Sequence, residues 1–199
     1  MTEAAQHQQR DRAKLALLFM LSLLAAPVEY IAHEGAHYLA ARSFGAQATL
    51  HYDHVALEGG AQFSPVQRLL FVAAGPAVDW AVGLLALLFL VRRYTPMRLV
   101  LAIWVARPLQ FLPALLGMDF LYFGRGESVG GTDEAVLAEA IGMSPQALVW
   151  LELAVALPLL AIIVLVIPAP RRLIILSVMS VGVLAGWAGW LTWGSYVLP

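Results

Sequence analysis

From Leu15 onward the chain is a succession of long apolar runs, each closed by arginines, prolines or a polar turn. About 20 apolar residues at a helical rise of ~1.5 Å cross the hydrocarbon core of a bilayer, so runs of this length read as spans. The pattern predicts about five of them, over 14–42, 66–91, 99–123, 147–167 and 173–197. Pro27 lies inside the first, where it cannot donate to the carbonyl four residues earlier, and predicts a kink. Arg107-Pro108, Pro113 and Gly117-Met118-Asp119 interrupt the third. Trp187, Trp190 and Trp193, near the end of the fifth, predict an aromatic belt.

Two segments depart from this pattern. Residues 45–64 hold Thr49–Val55 and Ala56–Glu58, part-alternating and rich in β-formers, with Gly59-Gly60 as punctuation. They predict a β-hairpin or extended loop lying on or dipping into the membrane. Residues 124–144 are polar and predict a short helix over about 133–141 with Thr132 at its N-cap. The expected fold class is therefore an all-α polytopic membrane protein, with about five transmembrane helices and a small β-hairpin between the first and second. Its parts would be an N-terminal cytoplasmic tail or short interfacial helix (1–13), a membrane core (14–123), the polar loop with its short helix (124–144) and two additional transmembrane helices (145–199).

Composition sharpens this. The 199 residues are 61% hydrophobic and 13% charged, with a mean hydropathy of +0.77, whereas a soluble domain carries about 25% charged residues. A net charge of −1 offers no basic field for nucleic acid. With no cysteine, disulfides and thiolate metal sites are excluded. Arg10, Arg12 and Lys14 ahead of an apolar run resemble a secretory signal. Pro27 directly after Ala26 is a poor cleavage context, however, and the helix continues into the motif described next, so a retained anchor is expected. The basic groups 10–14, 92–98 and 171–172 fall on one side of the predicted spans. The positive-inside rule then places the N-terminus in the cytoplasm and the C-terminus outside, in an integral multi-pass protein of the plasma (inner) membrane.

The chemistry concentrates at His33-Glu34-Gly35-Ala36-His37. Two histidines four residues apart on a helix project from one face, close enough to share a metal ion. The Glu after the first stands where it can hold a water on that ion, the H-E-x-x-H arrangement of zinc hydrolases. Ionisable groups at membrane depth are costly and mark function, which adds Glu29, Asp79 and Asp119, with Arg107 as a possible counter-ion. Counting along straight helices from the basic ends puts His33 and His37 at roughly 28 and 34 Å and Asp119 at roughly 31 Å. Asp79 comes out at only about 20 Å and Glu29 at roughly 22 Å. Depth therefore favours Asp119 as the carboxylate that joins the histidines. Asp79 is equally explained by pairing with Arg107, Asp133 by the helix dipole in a first turn, and His51 and His54 by a solvated strand face.

Three features, in order, resemble the site-2 protease family of intramembrane zinc metalloproteases, over roughly residues 15–123. They are the HEGAH span followed by a Gly-containing β-region, the Ala73-Ala74-Gly75-Pro76-Ala77-Val78-Asp79 helix, and the segment from Gln110 to Asp119. That last segment is similar to the family's Asn-x-x-Pro…Leu-Asp-Gly stretch, which supplies the third metal ligand. Asp79 and Gln110 stand where Asn is usual, the Pro-to-Asp spacing is one longer, and Phe120 replaces a Gly. Thr132-Asp133 matches a Thr-Asp or Ser-Asp of shorter relatives and keeps Asp133 as the alternative third ligand.

The resemblance implies one Zn²⁺ per chain held by His33, His37 and Asp119 (or Asp133). Glu34 would be general base toward a metal-activated water, the substrate a membrane protein or peptide, and the setting the lipid bilayer. The hairpin would align an extended substrate by strand addition. Two other readings remain open at this point: a metal-binding scaffold of the same fold that does not cleave, and a membrane zinc hydrolase acting on a lipid or small amide.

Overall fold

The computed structural model describes residues 3–59, 62–111 and 132–198. Helix α1 (Glu3–Ser43) is 41 residues long and runs unbroken through Pro27. The polar N-terminal stretch is part of this helix; Ala, Gln, Arg and Lys are strong helix formers and no Gly or Pro interrupts them. Strands β1 (Ala48–Leu50) and β2 (Val55–Leu57) pair antiparallel, with Leu50 opposite Val55. The expected hairpin is present, and its tight turn closes with the His51 N–H donating to the His54 carbonyl.

Helix α2 (Pro65–Arg92) begins in a full capping box: Ser64 Oγ accepts the Gln67 N–H, and the Gln67 side chain returns to the Ser64 N–H. Such caps satisfy amide donors that a helix start leaves unpaired. Helix α3 (Pro96–Ala102) passes into a 3₁₀ segment (Ile103–Phe111). Pro108 has no N–H for the α ladder and restrains Arg107 before it. The third apolar run is described only this far; Asp119 lies outside the described residues. Helix α4 (Asp133–Ala140) starts at the Thr132 N-cap as expected and closes at Gly142, whose φ of +72° suits glycine. Helices α5 (Pro145–Val166) and α6 (Arg172–Val197) complete the chain.

Among the described residues, four helices are long and apolar enough to cross a membrane, namely α1, α2, α5 and, with the 3₁₀ turn before it, α6. With one two-stranded hairpin beside them, the molecule is an all-α polytopic membrane protein. Its outer face is apolar, with Leu84, Leu88, Val155, Leu165 and Leu173 among the exposed side chains, as expected of a surface solvated by lipid tails. The core joins α1, α2, α3, α5 and α6 through Leu18, Leu87, Leu90, Leu99, Val105, Ile163 and Met179. Small residues set the closest contact. Gly182 and Gly186 of α6 bring its backbone onto Ser22 and Leu23 of α1, where a methyl group would overlap.

The three basic segments gather at one end. Asp11 and Lys14 of α1, Tyr94 before α3 and Pro96 at its start, and Pro168 and Arg171 before α6 line one cavity, and Arg171 donates to both carboxylate oxygens of Asp11. The hairpin sits at the other end. Trp190 Nε1–H donates to the Tyr52 carbonyl at 3.0 Å, and Gly194 lies against the Tyr52 ring. Trp190 is 6% exposed, so of the predicted aromatic belt this member serves instead to hold the hairpin.

Candidate metal centre

The site is built on α1, whose helical repeat places His33 and His37 on one face. Both imidazoles are buried. Each has its outer nitrogen fixed by an acceptor. His37 Nδ1–H donates to the Phe71 carbonyl of α2 at 2.7 Å, and His33 Nδ1–H donates to Asp79 Oδ2 at 2.7 Å. A carbonyl accepts only, so the proton of His37 is on Nδ1, and the Asp79 carboxylate orients His33 in the same sense. Metal-binding histidines show this pattern, the second nitrogen held by a carboxylate or carbonyl.

The two Nε2 atoms consequently turn inward, 3.1 Å apart. Asp133 Oδ2, at the first position of α4, lies 3.1 Å from His33 Nε2 and 3.0 Å from His37 Nε2. Three lone-pair atoms converge on one point and repel one another unless a cation or protons lie between them. Donors around a tetrahedral ion with bonds of about 2.0–2.1 Å stand roughly 3.3 Å apart, close to the observed triangle. Among the described residues, His33, His37 and Asp133 form the group able to hold a metal ion.

Glycine at position 75 permits the assembly. A Cβ on Gly75 would overlap His37 Nε2 and both Cε1 and Nε2 of His33, so any larger residue fills the space in front of the two donors. Glu34 points to the same place, with Oε1 4.0 Å from His33 Nε2: too far for a hydrogen bond, and near enough to reach a small molecule lodged beside it.

Arg107, on the 3₁₀ segment, pairs with Asp79 Oδ2 and also approaches both nitrogens of His33, with Nη2 3.2 Å from Nε2. The guanidinium is within hydrogen-bonding distance of both ring nitrogens, and its Nη2 must give way for a cation to take the Nε2 lone pair. Glu134, Glu29 and Asp133 lie in the field of the same guanidinium. A cation with several buried carboxylates around it is the compensation that charge at membrane depth requires.

The expected pairing of Asp79 with Arg107 is present, but the axial count put Asp79 well below the histidines, and its carboxylate is in fact bonded to His33. Asp133, the alternative third ligand, is the carboxylate that converges with the two Nε2 atoms among the described residues. His51 and His54 stack at the hairpin turn, with ring centroids 4.5 Å apart, and His54 is bonded to Asp53, remote from this centre. The Phe71 carbonyl and buried Glu134 were not foreseen. Phe71 lies one turn before Gly75 on the same face of α2, and a backbone acceptor leaves no mark in residue identity. Compared with protein-family models, curated proteins and solved structures, the chain has no match in any of the three.

Proposed function

We propose that the chain is an intramembrane zinc endopeptidase that hydrolyses peptide bonds of membrane-embedded or membrane-proximal protein segments. The observation that carries this reading is the convergence of His33 Nε2, His37 Nε2 and Asp133 Oδ2 beside Glu34, on a helix apolar enough to cross a bilayer. Three protein donors leave one position of a tetrahedral ion open, the pattern of catalytic rather than structural sites.

Zinc held there would supply Lewis acidity, acidifying a water and polarising a carbonyl oxygen. Glu34 takes a proton at its carboxylate and delivers it to the nitrogen of the leaving amine. Asp79 and the Phe71 carbonyl keep the imidazole protons on Nδ1, so that both Nε2 lone pairs would be available to hold the metal. Water reaches the centre past Asp133, whose side chain is 28% exposed. Among the described residues each hairpin strand has one partner, so an open edge offers backbone groups to an extended substrate, whose peptide bond is then accessible as it is not in a helix. The same reading places the basic end in the cytoplasm and the C-terminus outside, in the plasma (inner) membrane.

Purified protein is expected to contain about one zinc per chain. Glu34→Gln should keep the metal and lose about 10²–10⁴-fold in turnover, measured by comparing membrane proteins of cells carrying either form. Wild-type protein as free of zinc as His33→Ala would remove the metal site. Unchanged cleavage by Glu34→Gln would remove the mechanism.

A further inference from the structure

At the end of the bundle opposite the hairpin, α1, the α2–α3 turn and the α5–α6 turn enclose a cavity of about 710 Å³. That lies within the ~300–1,000 Å³ typical of small-molecule sites. Leu15 and Leu18 of α1 and Ile174 and Ile175 of α6 form apolar walls. Leu17 and Ile174, each about half exposed, mark where it opens sideways, toward the lipid side of the bundle.

Two basic side chains, Lys14 and Arg171, and one acid, Asp11, line it. Eight of the 12 lysines and arginines (Arg10, Arg12, Lys14, Arg92, Arg93, Arg98, Arg171 and Arg172) belong to the three segments that meet here. Several are committed to the protein itself. Arg171 is tied to Asp11, Arg98 donates to the Phe89 and Arg93 carbonyls, and Arg172 donates to the Leu165 and Ile167 carbonyls. Lys14 lines the cavity and has no carboxylate partner among the described residues. An apolar slot that opens laterally, with a cationic group at the helix end, is complementary to one kind of molecule: acyl chain below, phosphodiester above. Basic pockets between helix ends are where anionic head groups bind.

We propose that this cavity is a binding site for an anionic phospholipid, with its phosphodiester at Lys14 and its upper acyl chains between α1 and α6. The assignment is independent of the hydrolase reading and concerns the far end of the molecule.

The test uses the full chain in nanodiscs of phosphatidylcholine containing a minority of phosphatidylglycerol, with the lipids retained on release counted by native mass spectrometry. Phosphatidylglycerol is expected to be retained well above its share of the disc. Lys14→Gln should lower that enrichment roughly fivefold, the worth of one basic side chain at an anionic surface. Ile174→Trp, which narrows the slot without changing charge, should lower retention of either lipid, while Arg68→Gln at the hairpin end should change nothing. Retention of the two lipids in proportion to supply would overturn the proposal. So would enrichment that both Lys14→Gln and Ile174→Trp leave intact, or a dimer that Ile174→Trp dissolves.

Discussion

At Gly75 the α2 backbone comes so near His33 and His37 that a single methyl group would displace both imidazoles. Gly75→Ala is therefore expected to lower metal affinity by at least about 100-fold, a larger loss than mispositioning one ligand causes. The α-helical circular dichroism should remain, and both are measured on the same purified sample. The carboxylates divide by role. Asp133→Asn removes a donor and should abolish stoichiometric metal. Asp79→Asn leaves the donors but frees the His33 ring, and should weaken binding about 10–100-fold. Asp119→Asn should leave the metal in place, and loss of metal there with retention in Asp133→Asn would reverse the assignment.

The two histidines were legible because spacing on one helix is local information. Asp133 was legible only as the alternative third ligand, through Thr132-Asp133, because a first-turn aspartate has a sufficient local explanation and its approach to α1 depends on how the chain returns after Phe111. Asp79 was misplaced for a different reason. An axial count equals depth only for parallel helices, and α2 is located by the contact at Gly75. Asp79, four residues further on the same face, is thereby brought to His33.

Between elements, the closest approach is that of α6 to α1. A Cβ at Gly186 would meet the Leu23 carbonyl, which is backbone and cannot turn aside, whereas at Gly182 the nearest atom is Ser22 Cβ at 2.7 Å. Gly186→Ala should accordingly destabilise the protein by about 1–3 kcal/mol, read as a lower denaturation midpoint in detergent, and Gly182→Ala by less. A midpoint unchanged by Gly186→Ala would mean that the two helices are not packed as described. The spans themselves were readable from apolar length, but this pairing was not. Small residues are common in membrane helices whatever they face, and nothing in the order of spans says that the last covers the first. The hairpin was legible as a region, from β-formers ending at Gly59-Gly60. Its turn was not, since His51-Tyr52-Asp53-His54 lacks the glycine that marks the commonest tight turns.

For the molecule as a whole, the gathering of the basic segments at one end makes a prediction that the natural absence of cysteine renders easy to test. Single cysteines in place of Arg12, Arg93 and Arg172 should all react with a membrane-impermeant maleimide from the same face of sealed vesicles, and Glu58→Cys from the other. Labelling of positions 12 and 93 from opposite faces would contradict the arrangement.

The donors of the metal centre are also far apart in time. Asp133 follows His33 by 100 residues and His37 by 96. At about 5–20 residues per second of synthesis, the third donor emerges roughly 5–20 s after the histidines. For that interval the growing chain carries a two-ligand helix among the unfolded segments of itself and its neighbours, without the third donor of the finished centre. Ordering the three side chains this way delays their convergence until α1, α2 and the 3₁₀ segment have been made.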